Sequence, residues 1–197
     1  MVAAASEHES VVVNGMSCHA RDGRNANSAV VVSVFTEDFG ADPMKAMALQ
    51  RDIEHKAFLA GGADYATPLC TVGDFLSDSY KTEPSRILPT YMDGNAYKIA
   101  SPALFLPSFV VPSLRDGIRA FDRSVSGFAA HDAILSGAET RTSSPIRLLR
   151  TEKRTARGVE NMYPCGEGAG YAGGITSAAL DGIHTAEALM AAYAPLL

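Results

Sequence analysis

Residues Asn161 to Leu180 read NMYPCGEGAGYAGGITSAAL, and the reading of this stretch decides the fold. A short apolar run ends in Gly166-Glu167-Gly168, continues through Gly170, Gly173 and Gly174, and enters a helix expected to reach about Tyr193. The expected order is strand, glycine loop, helix, which belongs to an α/β architecture. Glycine lets a backbone take positive φ and come close to a ligand. The free N–H groups at a helix start near Ile175, Thr176 and Ser177 favour negative charge by roughly 0.3–1 kcal/mol. Ala178, Ala179, Ala186 and Ala188 are small enough for the helix to lie close on a sheet. Gly182 costs about 1 kcal/mol against Ala inside a helix, so close packing or close ligand approach is expected there. Spacing alone leaves two readings, a nucleotide or flavin cradle and a plain turn. The loop lacks G-x-x-x-x-G-K-[ST], and it is not the G-x-G-x-x-G that opens a dinucleotide fold.

Working outward, the β-branched runs at Ser10 to Asn14 and Ala29 to Phe35 (AVVVSVF) predict strands, the second apolar enough to be buried on both faces. The polar segment Gly15 to Ser28 (GMSCHARDGRNANS) between them is either a long turn or the lining of a polar site. Asp42 before Pro43 is a helix start and Gly61-Gly62 a stop, which predicts a helix over 43–60. Thr67 to Asp74 predicts a short strand and turn, Ser77 to Asn95 a loop-rich stretch, and Pro112 to Asp122 a short helix. His131 to Glu139 is compatible with a helix end or a strand, and Pro145 to Leu149 predicts a strand.

The chain has 197 residues, 47% of them hydrophobic, and a net charge of −5, which places it among globular proteins and away from basic nucleic-acid binders. A chain of this size buries roughly 70% of its unfolded surface. The only basic cluster, Arg141, Arg147, Arg150, Lys153, Arg154 and Arg157, lacks the interleaved aromatics of a nucleic-acid surface. It reads as a solvated hairpin or as a contact for an anionic cofactor or substrate. The start of the chain has neither the basic nor the apolar segment of a secretory leader, and Ser101 to Leu114, broken by Pro102, Pro107 and Pro112, is too short to span a bilayer. Cys18, Cys70 and Cys165 have no C-x-x-C spacing, so a disulfide framework and a zinc site are not expected, and a cytoplasmic location is.

The run Tyr163 to Gly182, with Glu139 to Pro145 (ETRTSSP), Asn14 to Ser28 and Glu37-Asp38-Phe39, closely resembles the carboxy-terminal half of a family of FAD-dependent dehydrogenases, over nearly the whole chain. The resemblance implies a partial Rossmann-like FAD-binding domain interrupted by an inserted α+β substrate or cap domain. Residues 1–35 and 141–197 would belong to the FAD-binding part and 36–140 to the insertion. It implies FAD as cofactor and hydride transfer with a small-molecule substrate. Gly166, Glu167, Gly168, Gly173, Gly174, Ile175 and Thr176 would meet the cofactor, with Glu167 on its sugar hydroxyls and the helix start stabilising charge on the reduced flavin. Members carry an early G-x-G-x-x-G, which this chain lacks, so it reads as a carboxy-terminal piece that acts with the amino-terminal FAD-binding portion. A non-catalytic fragment or subunit is the alternative. His19, Arg21, Asp22, Asn25, Arg141, Thr142 and Ser143 are candidates for the substrate side, without forming a catalytic constellation. Cys165 reads as a small buried residue, and Asp181 with His184 as a capped or solvated pair.

Overall fold

The computed structural model describes residues 2–91 and 96–193. The architecture is mixed α/β, and the chain divides into two compact units. One comprises Met1–Asp38 with Ala48–Thr140, the other Phe39–Met47 with Arg141–Leu197.

In the first unit, β1 (Val2–Ala4) and β2 (Val12–Asn14) form an antiparallel pair with Ala3 opposite Val13. A three-stranded sheet has β3 (Thr67–Thr71) at its centre, parallel to β4 (Tyr97–Ile99) and antiparallel to β5 (Ile134–Ser136). Every residue of β3 is buried, because neighbours pair both of its edges while its side chains fill the core. Helix α2 (Pro43–Ala60) has the predicted bounds, and its residues from Ala48 onward belong to this unit. Asp42 accepts the Met44 N–H at 2.9 Å to start it, and the N–H of Gly61 reaches the Ala57 carbonyl at its end. Helix α4 (Val110–Ser124) tolerates Pro112 because the first-turn N–H groups have no intrahelical acceptor to lose. Its Val111 and Ile118 join Cys70, Val72 and Phe75 in the main core.

Two buried acids lock this unit. Glu54, fully buried on α2, accepts from the Ser6 hydroxyl at 2.8 Å and the Thr140 hydroxyl at 2.6 Å, fastening both ends of the unit to one helix. Asp74 lies in the short helix α3 (Val72–Ser77), whose first turn Thr71 caps by accepting the Asp74 N–H. Its carboxylate takes the N–H groups of Lys81 and Thr82 and the Thr82 hydroxyl, each at 2.7 Å. Burial alone would raise its pKa, yet the Thr82 and Lys81 hydrogen bonds outweigh that and hold the carboxyl below its ordinary value. Residues 79–91 are loop, as predicted for Ser77 to Asn95; positions 92–95 of that stretch lie outside the described residues.

The structure corrects four local expectations. Ala29 to Phe35 forms no ladder, helix or turn among the described residues, and Val31 and Phe35 are exposed rather than buried on both faces. Strand propensity expresses a fit to neighbouring strands, and among the described residues none pairs here. Pro145 to Leu149 is not a strand either: Pro145 has no N–H, and the Leu148 N–H is spent on Ala169. The run before Gly166 is irregular, so the glycine segment follows a loop and not a strand. After Thr71 the chain enters α3 directly instead of a turn. The four-residue α1 (Thr36–Phe39) and a short 3-10 turn at Pro102–Leu104 complete the elements of the amino-terminal two thirds.

Gly61 gives the tightest backbone approach. A Cβ there would lie 1.9 Å from the Ala66 carbonyl oxygen, a backbone atom that cannot move without distorting the entry to β3. Gly61→Ala is therefore expected to cost about 1–3 kcal/mol or more, seen in urea unfolding as a lower midpoint at unchanged slope.

Candidate cofactor site

The predicted cofactor residues lie in the second unit, on a glycine turn and the start of α5 (Ile175–Ala192). The turn closes when Gly170 N–H bonds to the Glu167 carbonyl at 2.8 Å and Tyr171 N–H to the Gly166 carbonyl at 3.0 Å. At Gly170, φ is +81°, and a Cβ would lie 2.4 Å from the Ile146 carbonyl oxygen, so this glycine is demanded by chain packing. The segment 144–150 clamps the turn from the side. Arg147 Nε donates to the Gly170 carbonyl at 2.8 Å, and the Tyr171 hydroxyl donates to the Leu148 carbonyl. The Arg150 guanidinium lies 3.6 Å from the Tyr171 ring centre, a cation–π contact.

Asp181, one and a half turns into α5, is the hub. Its carboxylate accepts two bonds from Arg150, at 2.7 and 2.9 Å, one from Arg154 at 2.8 Å, and the Gly166 N–H at 2.9 Å. The Arg150 and Asp181 side chains are each only 12% exposed. The paired Arg150 bonds come first in holding the Asp181 carboxyl well below the usual carboxylate range; Gly166 and Arg154 add to them, and burial opposes. Arg150 also donates to the Pro164 carbonyl, and Arg154 to the hydroxyl of Thr185, itself buried. Two members of the basic cluster are thus structural anchors and not a solvated face. Asp181 does not pair with His184, which instead meets Glu187 at 3.1 Å on the exposed side.

The remaining predicted residues stay open. Gly168, Gly173, Gly174, Ile175 and Thr176 are exposed, and Glu167 is half-buried. Cβ atoms at Gly168 and Gly173 would meet nothing within 4 Å. Gly174 caps α5 without a side-chain hydrogen bond, and the first-turn residues Ile175 and Thr176 face solvent. The Glu167 carboxylate makes no hydrogen bond to a described residue. Cys165 is exposed rather than buried. An open depression of about 480 Å³ between Thr155 and Tyr163 includes none of these residues.

Of the substrate-side candidates, His19, Arg21 and Asp22 are exposed in the first unit, while Asn25 donates to the Leu88 carbonyl at 2.8 Å. Arg141, Thr142 and Ser143 are exposed in the second. Sequence reasoning missed Asp181 as hub and Glu54 as lock. The signal for Glu54 was its place in the apolar register of α2, beside Ile53, Ala57 and Phe58; that for Asp181 was a single acid on a helix that follows an arginine-rich segment. Among the described residues no group of His, Cys, Asp or Glu is arranged to hold a metal, and no helix is long and apolar enough to cross a membrane.

Comparison with known proteins supplies the class. The family described as FAD-dependent protein, C-terminal domain-like matches residues 1–142, and the chain belongs to it. A relative of Clostridium beijerinckii, itself described only as an uncharacterized protein, is 50% identical over 188 residues, 95% of this chain. The chain spans only 35% of that relative's length.

Asp181→Asn is expected to destabilise α5 by about 3–5 kcal/mol, since two arginines lose their shared charge. Because the folded pKa is depressed, the Asp181 contribution is full above the ordinary carboxylate pKa of about 3.9 and drains away below it, toward the lower folded value. Protection of the α5 amides relative to their intrinsic exchange rate should accordingly fall below about pH 4 in the parent chain, and this acid-side dependence should be weaker in the variant. At Gly182 a Cβ meets nothing within 4 Å, so the expected close packing is absent within this chain. Gly182→Ala should stabilise the isolated chain by about 1 kcal/mol, measured by thermal unfolding.

Proposed function

We propose that the chain is the carboxy-terminal portion of an FAD-dependent oxidoreductase of the dehydrogenase type, passing hydride between FAD and a small-molecule substrate. Family membership over residues 1–142 carries this reading. The glycine turn lies beyond that span, and its own geometry supports it as the place where the cofactor meets this chain.

FAD, when bound, supplies the ring that takes up or gives hydride. The residues present fit it. Glu167 has a carboxylate free to accept bonds from sugar hydroxyls. The space beside Gly168 and Gly173 is open to a flat or extended ligand. The uncapped start of α5, at Gly174, Ile175 and Thr176, offers N–H groups and the positive helix end to developing negative charge. Gly166 has its N–H committed to Asp181, so its part is to form the bend that presents Glu167.

In this reading 141–197 and 1–35 are segments of a Rossmann-like FAD-binding domain, and 36–140 is the inserted substrate or cap domain. The unit boundary between Thr140 and Arg141 coincides with the second limit, whereas residues 1–38 fall in the same unit as 48–140. The dinucleotide grip comes from an amino-terminal portion with G-x-G-x-x-G, and Cys18, Cys70 and Cys165, all unpaired, suit a reducing cytoplasm. The second reading, a non-catalytic subunit that needs a partner chain, is favoured by the 35% span of the relative.

The test is a visible spectrum of the purified chain after incubation with FAD and desalting. Flavin absorbance is expected to be retained, and Glu167→Ala should lower retention about tenfold, the worth of one charge-assisted hydrogen bond of about 1.5 kcal/mol. Gly173→Val should abolish it by filling the open space. A colourless, folded chain would overturn the cofactor reading for this chain alone.

A further inference from the structure

The run Asn27 to Thr36, NSAVVVSVFT, contains no charged residue and no proline. Among the described residues, Ala29 to Val34 exchange no backbone hydrogen bond with any other residue, and the segment contains no helix, turn or bend. Val30 rests on the main core of the first unit, whereas Val31 is 64%, Val34 42% and Phe35 63% exposed. Soluble proteins guard free strand edges with Lys, Pro, bulges or inward charges, and this edge has none of them. Its side chains suit burial, yet burial would leave a row of N–H and C=O groups needing partners. A second extended strand satisfies both demands at once.

We propose that Ala29 to Phe35 is a docking edge for a β-strand contributed by the polypeptide corresponding to the part of the Clostridium beijerinckii relative that this chain does not match. The choice of occupant follows from length. The relative shares 50% identity over 95% of this chain, and the matched residues make up only 35% of it, so the matched region lies there alongside a much larger remainder. The identity of the occupant rests on reading this chain as one portion of a larger flavoprotein; the docking edge itself rests on residues 29–35.

Hydrogen exchange with mass spectrometry tests this on the full chain alone, on the chain mixed with the separately expressed remainder of the relative, and on the intact relative. In the chain alone, amides 30–34 should exchange at open-chain rates. In the intact relative the equivalent amides should be slowed by about a hundredfold or more, and the mixture should slow them in this chain. Val32→Pro, which removes one donor and blocks pairing, should abolish the effect in the mixture while α2 and β3 stay protected. Equally fast exchange of this segment in the intact relative would overturn the proposal. So would protection in the chain alone that grows with concentration, because the occupant would then be a second copy. The readout needs no flavin: lost flavin with protected amides sinks the cofactor reading only, and bound flavin with unprotected amides sinks the docking edge only.

Discussion

A carboxylate withdrawn from water must be ringed by donors, and the described structure is organised around three that are. Glu54 gathers the hydroxyls of Ser6 and Thr140, Asp74 gathers residues 81 and 82, and Asp181 gathers Arg150, Arg154 and the Gly166 N–H. Each acid sits on a helix and reaches chain that has no regular structure of its own. An uncompensated buried charge would cost several kcal/mol, so each loop has one arrangement that removes the penalty and many that do not. Each such loop is therefore tied to a helix by the acid it surrounds.

The glycine turn follows from this constraint. Asp181 fixes Gly166, Arg147 fixes Gly170, and Tyr171 is held between the Arg150 guanidinium and the Leu148 carbonyl. All the strong bonds fall on the ends of the turn and on the middle of α5. What they leave unused is the outer rim: Glu167, Gly168, Gly173, and the first turn of the helix. A segment held at its back and open at its front is a suitable support for a large, partly anionic ligand, because the ordering cost has been met before the ligand arrives. The exposed stripe of Ile175, Ile183 and Met190 on α5 continues that open front, with Ile175 92% exposed.

The three long helices, α2, α4 and α5, were legible because their signals are local, whereas the short α1 and α3 were not. Asp42-Pro43 and Gly61-Gly62 start and stop α2, and the spacing of Val111, Leu114 and Ile118 produces the buried side of α4, each from bonds within one segment. Two further features were legible from residue type: Gly166 to Gly174 as a bent segment before a helix, and the resemblance to FAD-dependent proteins, which the match over residues 1–142 bears out at the level of family. Strands were legible only where a partner exists. Val12 to Asn14, the end of the expected Ser10 to Asn14 run, and Thr67 to Thr71 pair, whereas Ala29 to Phe35 and Pro145 to Leu149, equally suitable in composition, do not.

The arginine-rich segment shows the same division. Composition alone left Arg150 and Arg154 as solvated cations or as contacts for an anion; neither neighbours Asp181 in the chain, which lies 31 and 27 residues away. Sequence by itself determined the long helices to within two residues at each end, the glycine bend and the family, because capping, glycine freedom and residue identity act over a few positions. Only the tertiary structure decided which apolar runs became strands and which charges became anchors, because a ladder or a buried ion pair exists only when distant segments meet and exclude water.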